Sequence, residues 1–275
     1  MTTIVDKDDV LAGLVEVWTR LDELLDGLSD DEWARPTPLP GWSVKDVVAH
    51  MIGTESMLLG DATPNVEVGA APHVRNDIGR VNEVWVVSMA DVPPAGVLAT
   101  FRGHTARRLD ALRDMEAGAW NAEGFTPAGN DTYGRFMRIR VFDCWLHEQD
   151  IRDAVSRPGG EVGTSVELTL DEAASVMGFV VGKRAAAPPG SRVAFDLTGP
   201  TARRIFVEVG TGERPRATVV DELSAPPTVA LWMPTGVFVR LAGGRIDSST
   251  VRDEIDLEGD PELGERLIAN LAFTI

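Results

Sequence analysis

The chain has 275 residues, 44% hydrophobic and 25% charged, which at roughly 150 residues per domain predicts two globular domains and excludes a wholly disordered protein. Lys and Arg number 26 against 43 Asp and Glu, and the net charge of −17 repels a phosphate backbone, so nucleic acid is not an expected partner. No apolar run reaches a membrane span, the opening MTTIVDKDDV is acidic where a secretory signal is basic, and the lone Cys144 cannot form an internal disulfide; a soluble, cytoplasmic protein is expected.

In chain order, apolar residues recur at helical spacing from Asp9 to Leu28, at Val10, Leu14, Val17, Leu21, Leu24, Leu25 and Leu28. A proline-rich loop, PTPLPGW, ends at Ser43, and Ser43 with Asp46 resembles a capping box opening a second helix that runs to Leu58. An irregular stretch, DATPNVEVGAAPHVRN, leads to a third helix near 78–89, and Pro93-Pro94 open a fourth down to about Met115. Asn130-Asp131-Thr132 supply cap residues for a fifth helix, Tyr133 to Ser156, which Arg157-Pro158-Gly159-Gly160 stops. One more helix is expected from Ser165 to Ala187, followed by strand-like runs RVAFDL, RIFVEV, RATVV and TVALWM and two late helices, 235–242 and 262–273. The change from long helices to short strands predicts a helical bundle over 1–160 and a small α+β domain over 161–275.

The fifth helix carries the chemistry. At 100° per residue, Phe136, Ile139, Asp143, Leu146, His147, Asp150 and Ala154 share one face, and Arg138, Trp145, Glu148 and Arg152 share the opposite one, expected to keep its charges in water. The stripe aimed at the core is thus interrupted by two carboxylates and an imidazole, and buried carboxylates must be paired, protonated or bound to a metal. Asp143 and His147 lie one turn apart and can address one ion, as in bundle metal sites. On spacing alone, such a pair is more often a buried hydrogen-bonded pair or plain polar surface. Of the other histidines, His73 lies in a loop and His104 stands beside Arg102, Arg107 and Arg108, which repel a cation; His50, on the second helix, is the third ligand expected. Two His and one carboxylate suit a divalent metal such as zinc, with Asp150 supporting the site or binding directly.

The segments LPGWSVKDVVAHM and RVFDCWLHEQDIRDA resemble the DinB/YfiT-like metalloenzyme superfamily and, more narrowly, the mycothiol-dependent maleylpyruvate isomerase family. The stretch from PTGVFVRLAGGRID to the end is similar to that family's C-terminal domain, related to sterol-carrier-like folds. The resemblance implies a DinB-like four-helix bundle with a metal held by His50, Asp143 and His147, then a sterol-carrier-like α+β domain. It implies mycothiol as thiol cosubstrate and an isomerase or S-transferase acting on a small electrophile. The family's type member carries Glu where this chain has Asp143, one methylene shorter, which bears on metal affinity and identity.

Trp42 lies at the mouth of the site; Arg75, Asn76 and Asn82, near the irregular loop, are candidate contacts to a polar thiol, although ordinary solvated surface is the preferred reading, and Arg240 and Arg245 are candidate cations for an anionic substrate, although arginines at a helix end more often cap carbonyls. Cys144, three residues before His147, is expected as a small buried hydrophobe rather than half of a Cys–His nucleophile. The expected function is a mycothiol-dependent metalloenzyme, monomeric or homodimeric; the alternatives are a non-catalytic small-ligand-binding protein and a metal-dependent hydrolase.

Overall fold

The computed structural model describes residues 2–274; the terminal positions that the ranges 1–160 and 161–275 include lie outside it. The chain divides into two compact units, Met1–Ser165 and Val166–Ile275. The first is helical, and the second is α+β around a five-strand mixed sheet.

In the first unit, α1 (Lys7–Asp26) begins two residues before the expected start, because Asp6 accepts hydrogen bonds from the amides of Asp8 and Asp9. The short α2 (Asp30–Trp33) has its own capping box at Ser29. α3 (Val44–Leu58) starts where Ser43 predicts: its side chain accepts from Asp46 N while Asp46 reaches back to the Ser43 amide. α4 (Asp77–Ser88), α5 (Pro94–Arg113) and the short α6 (Ala117–Trp120) follow. Where only cap residues were expected, Glu123–Thr126 (β1) and Gly129–Thr132 (β2) form a hairpin, and Thr132 then caps α7 (Tyr133–Val155). The strands are short and polar, so they carry no alternating apolar signal. Helix α7 ends at Ser156, whose φ of 56° is a left-handed stop.

Helices α1, α3, α5 and α7 pack as a closed set, α1 on α5 and α7, and α3 on α5 and α7. Val10, Val17, Leu21, Val47, Val48, Phe101, Leu112, Met137 and Ile151 are sealed between them, each buried aliphatic contributing about 1.5–3 kcal/mol of transfer free energy. The expected polar face of α7 is corrected. Trp145 and Glu148 are buried, and the helix is enclosed almost all round from Arg140 to Ile151. Arg20 of α1 and Arg152 grip the Glu148 carboxylate, and Trp145 Nε1 donates to Gly160 O. Arg20 and Gly160 come from outside the helix, so periodicity alone assigns Glu148 and Trp145 to the wrong environment.

Helix α8 (Thr164–Phe179) starts on the last two residues of the first unit and runs into the second, where it widens into a π-helical turn, Val180–Arg184, instead of continuing regularly to Ala187. Strands β3 (Arg192–Thr198), β4 (Arg203–Val209), β5 (Ala217–Val220), β6 (Val229–Pro234) and β7 (Asp256–Gly259) form a sheet in the order β5-β4-β3-β6-β7. Only β3 and β6 run parallel. The strand β7 was not expected from the sequence; it is a short edge strand of mixed polarity. Val193, Phe195 and Leu197 with Ile205 and Val207 turn inward, as period two requires. α9 (Thr235–Ala242) packs on β3 and β6, and α10 (Pro261–Ala269) on β6 and β7. α10 stops at Asn270, and Phe273 N then bonds Ala242 O in place of a further helical turn. Among the described residues no helix is long and apolar enough to cross a membrane.

Candidate metal centre

Two helices of the first unit carry the three side chains. The cap at Ser43 sets the phase of α3, and His50 sits about two turns in, on a stretch of the helix that is buried from Val47 to Gly53. On α7, Asp143 and His147 stand one turn apart and face His50. His50 Nε2 lies 3.6 Å from Asp143 Oδ2, and His147 Nε2 lies 3.5 Å from Asp143 Oδ1. The two imidazoles meet edge to face at 5.0 Å. One donor atom from each residue falls within 4.8 Å of the others, as a group able to hold an ion requires. Ligand atoms at 2.0–2.2 Å around a four-coordinate zinc stand roughly 3.3–3.6 Å apart; two imidazole nitrogens and a carboxylate oxygen within 4.8 Å of one another are the donor types such an ion takes and need close in only slightly around it.

The electrostatics differ between the two imidazoles. Burial lowers His50, outweighing its interaction with Asp143, and a neutral imidazole keeps its lone pair for a cation. Burial also pulls His147 down, but Asp143 and Asp150 outweigh it and the net shift is upward. Burial pushes Asp143 up, yet His147 and Arg140 hold it well below the usual carboxylate range. Asp150, raised from the sequence as a supporting residue or ligand, lies with Oδ2 3.0 Å from His147 Nδ1 and turns Nε2 toward the shared space. His50 Nδ1 is buried with no hydrogen-bond partner among the described residues. Nearly a third of the Asp143 side chain is exposed, whereas those of His50 and His147 are almost wholly buried, so the group meets solvent on the Asp143 side.

Residues 14–152 match the mycothiol maleylpyruvate isomerase N-terminal domain, and residues 167–266 match the MDMPI C-terminal domain. The chain belongs to this family. Two relatives, both uncharacterized proteins from strains of Mycobacterium tuberculosis, are 29% identical over 190 residues, covering 66% of this chain and 69% of theirs. A crystal structure of the mycothiol-dependent maleylpyruvate isomerase aligns over 94% of this chain and 96% of its own, with a TM-score of 0.59 and 18% identity. A histidine-to-alanine mutant of that enzyme aligns over the same shares at 0.55 and 18%. At this identity the likeness shows a shared fold.

The remaining candidates of this family member separate clearly. The Trp42 ring lies 5.2 Å from His50, and its Nε1 donates to Glu83 Oε2 at 3.0 Å. The same oxygen is 2.9 Å from His73 Nε2, which ties the irregular segment to α4 beside the site. Asn76 caps α4, its side chain accepting from Gly79 N. Arg75 is exposed and Asn82 half-buried on α4, and no hydrogen bond or ion pair joins either to the three site residues. Arg240 and Arg245 lie in the second unit, on the last turn of α9 and just beyond it, where Arg245 Nη1 donates to Gly243 O. Cys144 is fully buried, accepts from Trp18 Nε1, and is pushed up to about 12 by burial, so it is no nucleophile paired with His147.

Sequence reasoning passed over a second set of residues behind the site. Arg140 donates to Asp143, and it is held in turn by Glu55 of α3, whose other oxygen accepts from Arg108 of α5. An R-x-x-D spacing on α7 was the available signal, but Glu55 and Arg108 have none.

Proposed function

We propose that this chain is a metal-dependent thiol S-transferase or isomerase that uses mycothiol as cosubstrate against a small electrophile. The observation that carries it is the convergence of His50, Asp143 and His147 within 4.8 Å in a member of a family whose description names mycothiol. In this reading the first unit is a DinB-like four-helix bundle and the second a sterol-carrier-like domain, meeting near residue 160, in a cytoplasmic monomer or homodimer. Zinc is the divalent ion the donor set suits best; when bound, it supplies the Lewis acidity that turns a coordinated thiol into a thiolate near neutral pH.

The chain's own groups supply the rest. His50 and His147 hold through Nε2, and Asp143 supplies a negative donor that is ionised across the physiological range. Asp150 keeps His147 in the tautomer that leaves Nε2 free. Trp42, packed on His50, screens that imidazole from water, while the exposed edge of Asp143 marks the side from which thiol and electrophile approach.

Metal analysis and turnover test this together. The purified protein loaded with zinc should retain about one ion per chain, and His50→Ala and His147→Ala should each lose it along with mycothiol-dependent consumption of maleylpyruvate or a related electrophile. Wild-type protein that retains no divalent metal overturns the proposal. Turnover that needs no thiol overturns the mycothiol role and points instead to a metal-bound water as nucleophile.

A further inference from the structure

Behind the candidate ligands, a line of buried charge crosses three helices of the first unit. Arg140 Nη1 donates to Asp143 Oδ2, its Nε and Nη2 fork onto Glu55 Oε1 at 3.0 and 2.8 Å, and Glu55 Oε2 accepts from Arg108 Nε at 3.1 Å. Arg108 is braced in turn by Tyr133 Oη at 2.5 Å and Met137 Sδ at 3.0 Å. Glu55, Arg108 and Arg140 are each at most 4% exposed. Two guanidinium and two carboxylate groups make this line neutral overall, as burial demands.

The line has a direction. Arg108 closes the enclosed end, Glu55 stands between the two guanidinium groups, and Arg140 carries the line to Asp143, the one of its four side chains that is partly exposed. Asp143 has a short arm with a single rotatable bond beyond Cβ, and Arg140 occupies its Oδ2 while Oδ1 stays 3.5 Å from His147. We propose that Arg140 is a positioning residue for the candidate metal centre: anchored by Glu55, it fixes the Asp143 carboxylate so that the ion is offered one oxygen in a set orientation. The inference rests on the metal reading above and adds a residue to it. Hydrogen-bonded partners of metal ligands matter in this way in general, and their loss costs about ten- to hundredfold in metal affinity.

The sign of the effect separates this role from simple charge. Arg140 is a cation beside a cation site, so if its charge alone mattered, Arg140→Gln would bind metal more tightly. Positioning predicts the reverse. Zinc affinity measured by chelator competition should fall about ten- to hundredfold in Arg140→Gln, with far-UV circular dichroism unchanged. The visible spectrum of the cobalt-loaded variant should differ from wild type, because Asp143 is released to bind through either oxygen. Arg140→Lys, which keeps the charge but has its donors on a single nitrogen and cannot fork onto Glu55 while holding Asp143, should recover part of the lost affinity; should Arg140→Gln not fold, this variant carries the test and should still bind more weakly than wild type. Affinity equal to or higher than wild type in a folded variant, with an unchanged cobalt spectrum, overturns the inference and leaves the metal centre standing. A wild-type protein that binds neither zinc nor cobalt overturns both.

Discussion

His147 is the side chain on which proton and metal compete. Its pKa is lowered by burial and raised by Asp143 and Asp150, and the net result lies above the ordinary 6.5. A group with a raised folded value stabilises the metal-free fold fully below its unfolded value of about 6.5, and that contribution is lost as pH rises through the folded value. Metal binding runs the other way, since an ion on Nε2 must displace the proton. Zinc affinity should therefore climb with pH until the folded value of His147 is passed, with proton release on binding seen by calorimetry in buffers of different ionisation enthalpy. Asp150→Asn should move that midpoint to lower pH; a midpoint that moves up, or a binding curve flat between pH 5 and 8, contradicts the assignment of this proton.

Between elements, the decisive contact is the one that joins α1 to α7. Glu148 has no exposed side-chain surface and is met by Arg20 from α1 and Arg152 from its own helix. Removing the carboxylate leaves the Arg20 side chain, itself only 18% exposed, with Glu16 as its remaining charge partner and takes the partner of Arg152 away, so the loss should cost about 1–3 kcal/mol, the range for buried donors left unpaired. Glu148→Ala should accordingly lower the urea midpoint without changing the slope of the transition. A shift of less than about 1 kcal/mol would place this clamp with ordinary surface ion pairs. By contrast α3 is specified locally: Ser43 and Asp46 start it, and the start sets which face His50 occupies.

At the scale of the whole molecule, the candidate centre joins segments that are far apart in the chain, α3 and α7, and an ion held there would bind only the folded arrangement. Free zinc at 100 times its dissociation constant should then stabilise the protein by about 2.7 kcal/mol. Hydrogen exchange should slow most in α3 and α7 on adding zinc and return to its starting rate with a chelator. Slowing that is uniform over the chain, or greatest in the β-sheet of the second unit, would place the bound ion elsewhere.

What the sequence determined by itself was local. The 3.6-residue period outlined the long helices, Ser43 and Asp46 marked the first turn of α3, and a spacing of four put Asp143 and His147 on one face, all set within a turn or two of backbone. His50 was reached because loop placement and neighbouring arginines discouraged the other histidines, and the structure brings it to within 3.6 Å of Asp143. Tertiary structure decided where charge could be buried. Glu148 reads as a water-facing residue until Arg20 arrives from α1, and Arg140 gains its role only when Glu55 and Arg108 meet it from two other helices. The free energy of a buried charge depends on partners distant in the chain, and no periodicity within one helix records where they stand.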